Sequence, residues 1–90
     1  RYPHEATLRA SFQCAMNEDK SISSYYWADS LVGACVIGVR KSTNEKLLFK
    51  SAEEFTSPIL SIKQSHDEYI IETENTIYIV CKTLPKRAIK

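Results

Sequence analysis

Apolar residues stand at every second position from Ala6 to Met16: Ala6, Leu8, Ala10, Phe12, Cys14 and Met16, with Thr7, Arg9, Ser11 and Gln13 in the gaps. A period of two sends alternate side chains to opposite faces of an extended chain. The segment therefore predicts an antiparallel strand with one buried face, closed by a polar turn at Asn17 to Lys20. Ser21 to Trp27 is rich in Ser, Ile, Tyr and Trp and predicts a second strand, with Tyr25 and Trp27 on one face and Tyr26 on the other. After Asp29-Ser30, the run Leu31 to Val39 is apolar throughout and rich in β-branched residues. It predicts a central strand buried on both sides, with Gly33 and Gly38 marking a bulge, a bend or a close backbone approach.

Lys41 to Glu45 reads as a turn and Leu47 to Phe49 as a short strand. Ala52-Glu53-Glu54-Phe55 is a loop or one helical turn, ended by Pro58. Ile59 to Ser65 is a strand with Leu60 and Ile62 on one face, and His66-Asp67-Glu68 turns the chain. Tyr69 to Thr73 and Thr76 to Lys82 then form a hairpin around Glu74-Asn75, where asparagine tolerates the positive φ of a tight turn. Pro85 and the bases after Leu84 predict a loose tail.

The sum is one all-β domain over residues 1–84, a small antiparallel sandwich or partly open barrel of six to seven short strands. It contains at most one short helical turn near 52–55 and ends in a basic tail over 85–90. Leu8, Phe12, Val36, Ile37, Leu60, Ile62, Ile71, Ile77 and Ile79 are the expected core. Thr76 to Val80 contains no proline or charge. As an edge strand it would pair with a second copy, giving a homodimer.

Thr56 to Ile62, followed by Ile71 to Tyr78, resembles a pattern of small bacterial and phage β proteins. In that pattern a strand after Ser-Pro leads to a Thr-x-(Ser/Asn)-x-x-Tyr hairpin. The resemblance implies a piece of fold within an accessory protein of that kind, and it carries no activity.

Composition narrows the function classes. A net charge of +1 argues against a strong nucleic-acid or membrane field from the whole molecule. The charge is uneven: segment 51–81 holds six acids and one lysine, and segment 82–90 holds four bases and no acid. No apolar run is long enough to span a bilayer, so no membrane association is expected. Cys14, Cys35 and Cys81 are odd in number and lie in apolar runs, which predicts buried thiols in a reducing, cytoplasmic setting.

Candidate chemistry is sparse. His66-Asp67-Glu68 places three metal-ligand types side by side, but neighbouring side chains diverge, and the segment reads as a solvated turn. His4 would join it only if the N-terminal segment folded across. No nucleophile–base order, zinc spacing or phosphate loop is present, so no catalytic residue, metal or cofactor is assigned. Tyr25, Tyr26 and Trp27 form the candidate partner-binding site, because three adjacent aromatics on a strand cannot all face one core. Arg40, Lys41, Lys82, Lys86, Arg87 and Lys90 form a candidate basic patch. The reading is a non-enzymatic protein-interaction module, an accessory, inhibitory or regulatory subunit that binds another protein. A nucleic-acid-binding barrel of the OB or SH3-like kind is the first alternative, and a small enzyme with an unrecognised site the second.

Overall fold

A computed structural model describes residues 2–89. It is mostly β, with eight strands in two mixed four-stranded sheets and one long helix. The first helix, α1, covers Glu5–Glu18, and β1 covers Ser21–Ser23. A short helix α2 (Trp27–Leu31) precedes β2 (Val36–Arg40), β3 (Lys46–Ser51) and the two-residue β4 (Glu54–Phe55). Next come β5 (Ser61–Ser65), β6 (Glu68–Glu72), β7 (Thr76–Cys81) and β8 (Lys86–Ile89). The first sheet runs β1-β7-β6-β5 and the second β4-β3-β2-β8.

The strand expected over 6–16 is helix α1. Its composition, with Glu, Ala, Leu, Arg, Gln and Met and a single β-branched residue, favours helix. Glu5 and Arg9 pair across one turn. The face turned inward is Thr7, Ser11 and Ala15, four residues apart and mostly polar. Phe12 is therefore 57% exposed, against the expectation that it is core, and Leu8 is half-buried. Asp19 ends the helix in the left-handed region at φ 53°, with the Lys20 N–H on the Ala15 carbonyl.

The second predicted strand keeps only Ser21–Ser23, which pairs parallel to β7, Ile22 beside Ile77. The chain then turns through Tyr25-Tyr26 into α2. The predicted central strand over 31–39 is divided, since Leu31 closes α2 and the strand begins at Val36. Gly33, at φ +73°, makes the bend, and the Ala34 N–H reaches back to the Asp29 carbonyl. Gly38 provides the close approach: a Cβ there would meet Ile89 Cδ1 at 2.8 Å. No helical turn forms at 52–55. Ala52-Glu53 is a turn, and Phe55 pairs with Phe49.

The β5–β6–β7 meander follows the sequence reading closely. Its turn residue at positive φ is His66 rather than Asn75. β7 is interior, flanked by β1 and β6, so Thr76 to Val80 offers no edge for a second copy. The edges are β1 and β5 in one sheet, β4 and β8 in the other. Residues 86–89, expected as a loose tail, pair in parallel with β2. The two parallel pairs make both sheets mixed, where a wholly antiparallel pairing was expected.

Tyr26, Cys35, Ile37, Leu48, Ile71, Val80 and Leu84 fill the space between the sheets. The opposite face of the first sheet carries Ile70, Ile77 and Ile79 and is covered by α1 and α2. Both faces of β7 are thus lined by core residues, with Ile77 and Ile79 buried as expected and Val80 buried on the other side. Of the other expected core residues, Ile37 and Ile71 are buried, Val36 and Ile62 are half-buried, and Leu60 is 63% exposed in the loop before β5. No described helix is long and apolar enough to cross a membrane.

Candidate functional site

Of the three aromatics singled out in the sequence, the structure leaves one at the surface. Tyr26 is 4% exposed and sits between the sheets, edge-on to Tyr78 at 5.5 Å. Burial pushes its phenol up to about 12. Trp27 begins α2 and packs on Ile79 and Cys81. The rings are absorbed because Tyr25-Tyr26 is a turn, so period-two alternation does not apply to them.

Tyr25 remains exposed. Its hydroxyl donates to the Glu54 carboxylate at 2.6 Å, and the Lys50 ammonium lies 4.8 Å from its ring centre. The bond to Glu54 raises the phenol and lowers the carboxyl. Lys50 also reaches Asp29 at 3.0 Å and Glu54 at 3.5 Å. These charges satisfy one another, and Tyr25 forms the rim of a closed polar cluster.

The basic candidates divide. Arg40 pairs with Ile89 in the β2–β8 ladder, and the Lys41 N–H donates to the Ile89 carbonyl. Arg87 lies two residues before Ile89, so it shares the sheet face that carries Arg40. Lys86 belongs to the opposite face. Lys82 is remote from these and lies 3.7 Å from Asp67. Lys90 lies outside the described residues.

The face that carries Arg40 and Arg87 is the outer side of the second sheet, and the sequence reading missed it as a unit. Strand pairing aligns Val36 with Phe49, Gly38 with Leu47, and Phe49 with Phe55. Leu47 is fully buried and floors a cleft of about 350 Å³, with walls from Arg40, Phe49, Ala52, Phe55 and Ile89. Phe49 and Phe55 stack at 6.3 Å and 22°, and the Arg40 guanidinium lies 5.6 Å from the Phe55 ring centre. A second hollow of about 330 Å³, bounded by Val36 and Arg87, shares Phe49 and Ile89 as walls. The helices pack chiefly on β1, β6 and β7, and none of the described residues lining this face lies in a helix. The signal in the sequence was weak: Leu47 and Phe49 alternate, but Phe55 and Ile89 join them only through strand pairing.

The His66-Asp67-Glu68 turn is more structured than its sequence suggests, because the N-terminal segment does fold across it. Glu68 is fully buried beneath α1. Thr7 donates to its carboxylate at 2.6 Å, the His4 N–H at 3.2 Å, and His4 Nδ1 lies 2.9 Å from its other oxygen. Burial pushes this carboxyl up, but the bonds from Thr7 and His4 outweigh it and hold Glu68 below the usual glutamate value of 4.5. The His4 ring stacks on His66 at 5.0 Å, and its Nε2 lies 3.8 Å from Asp67. No group of three or more His, Cys, Asp or Glu able to hold a metal ion occurs among the described residues. This cluster docks α1 onto the sheet.

Cys14, Cys35 and Cys81 are free thiols. Burial pushes the Cys35 thiol up to about 11, which keeps it protonated at neutral pH. No protein-family model, curated protein or solved structure matches this chain.

Proposed function

We propose that this chain is a non-enzymatic protein-interaction module, an accessory or regulatory subunit whose working surface is the outer face of the second sheet. The observation that carries the reading is the cleft over Leu47, with Phe55 46% exposed at its wall and no helical residue among the described ones that line it. Solvent-facing aromatic and aliphatic surface beside arginine is the chemistry of interface hot spots. The free thiols fit a reducing compartment, and the cytoplasm is the setting we assign.

The test is site-specific photo-cross-linking in source cells, with a benzophenone side chain at Phe55 and a control at Lys63 on edge strand β5. A discrete protein adduct from position 55, absent from position 63, is the expected result. Adducts of equal yield from both positions, or none from 55, overturn the reading.

A second reading draws on the same residues. Stacked aromatics flanked by Arg40 and Arg87 also suit single-stranded nucleic acid, which places bases on rings and phosphates on guanidinium groups. Nuclease-sensitive adducts at position 55, and affinity that falls steeply with salt, would favour it.

A further inference from the structure

Resting on the interaction reading above, we infer that the cleft takes an acidic–aromatic peptide segment. An aromatic or branched aliphatic side chain enters over Leu47, between Phe55 and Ile89, and flanking carboxylates meet Arg40 and Arg87.

Charge accounting is the first argument. Among the described residues the other half-buried cations have carboxylate partners, Lys20 reaching Glu72 at 2.6 Å and Lys50 reaching Asp29 at 3.0 Å, while the exposed Lys41, Lys46, Lys63 and Lys86 have none. On this face, Arg40 and Arg87 have no carboxylate within ion-pair distance among the described residues. Arg40 is half-buried and lies against the Phe55 ring. Its side chain is already partly desolvated and held by stacking, so a carboxylate arriving there gains a bidentate partner at reduced ordering cost.

Shape is the second argument. The cleft volume of about 350 Å³ lies at the low end for small-ligand pockets and suits one large side chain. Phe49 and Ile89 continue as walls of the adjoining hollow, so the apolar surface extends past the cleft toward Arg87. Strand geometry sets the Cα atoms of Arg40 and Arg87 about 8 Å apart, within reach of two acids flanking one apolar residue in a segment that bends so that all three side chains face the sheet.

A short peptide suits the surrounding acids better than a polyanion does. Glu45 carries the carbonyl that accepts from the Arg40 N–H, and Glu53 and Glu54 adjoin Phe55. A nucleic-acid backbone, charged at every nucleotide, would pass over these carboxylates, whereas a segment with two acids need meet only the arginines.

The test is an NMR titration of the ¹⁵N-labelled full chain with three probes. They are acetyl-Glu-Phe-Glu-amide, acetyl-Lys-Phe-Lys-amide and an oligo-thymidine of similar length. The expected result is that the acidic peptide shifts the amides of Leu47, Phe49, Phe55 and Ile89, with an affinity about tenfold above that of the lysine peptide. The Arg40→Glu/Arg87→Glu double variant should reverse that preference, its remaining amide spectrum serving as the check on fold. Equal binding of the two peptides, shifts elsewhere, or tighter binding of the oligonucleotide overturns the inference. Failure of both peptides while position 55 still cross-links to a protein overturns the acidic–aromatic chemistry and leaves the interaction reading standing. Loss of the cross-link overturns the interaction reading itself.

Discussion

β7 and β3 are both six-residue strands of interior position, yet they differ in how they are covered. β7 buries Ile77, Ile79, Val80 and Cys81, with helices on one side and the second sheet on the other. β3 buries Leu47 and Leu48 and leaves Phe49 half-exposed. Both strands are apolar on both faces, so hydrophobicity alone does not separate structure from function here. What separates them is whether the chain supplies a cover. It supplies α1 and α2 to the first sheet, and no described residue of either lines the outer face of the second.

The comparison breaks first at the shared core. Ile71→Ala removes a fully buried side chain from between the sheets and should cost about 2–5 kcal/mol in denaturant unfolding. A cost near zero would mean the sheets do not pack across that residue.

Next is the helix side. Glu68→Ala leaves the His4 N–H without this acceptor and the Thr7 hydroxyl with Ser65 alone, and should cost about 1–3 kcal/mol. The pH dependence has a defined sign. Glu68 and Glu72 titrate below their ordinary value of 4.5 in the folded chain, Glu72 chiefly because Lys20 donates to it. Their stabilisation is therefore complete above that value and is lost as pH falls through the depressed folded values. The denaturant midpoint should fall from about pH 5 down to about pH 2 in the wild type, and fall less in Glu68→Gln. An equal fall in both would show that Glu68 contributes nothing to acid sensitivity.

A smaller effect belongs to the contact of β2 with β8. Gly38→Ala sets a methyl group 2.8 Å from the end of the Ile89 side chain, which must swing away. The expected cost is about 1 kcal/mol, with faster amide exchange along β8. The smallest effect is on the uncovered face: Phe55→Ser should change stability by about 0.5 kcal/mol or less while abolishing cross-linking at a neighbouring probe position. A large destabilisation there would make Phe55 a structural residue and erase the contrast between the sheets.

Much of the first sheet was legible in the sequence. The alternation of Ile71, Ile77 and Ile79 and the polar turns between them mark β6 and β7 within a residue or two. α1 was hidden because its buried stripe, Thr7, Ser11 and Ala15, is small and polar, while its apolar residues happen to alternate. That stripe matches a sheet surface containing a buried carboxylate, which no local pattern reveals. β8 was hidden for a different reason. Lys-Arg-Ala-Ile carries the polarity of a tail, and its order comes from hydrogen bonds to β2 and from Ile89 seated over Gly38. The candidate cleft depends on the same remote pairing, so Arg40 and Arg87 could be named from the sequence but not joined to Phe49 and Phe55.

The two parallel pairings also impose a timetable on biosynthesis. Ser21 finds its partner at Thr76 and Ile37 its partner at Lys86, each roughly fifty residues further along the chain. At ribosomal rates of about 5–20 residues per second, β1 and β2 wait about 2.5–10 s before those partners exist. During that interval β2 can pair with β3, but the edge that meets β8 and the edge of β1 that meets β7 stay open. A nascent chain stalled before β7 would therefore expose more apolar surface than the finished domain.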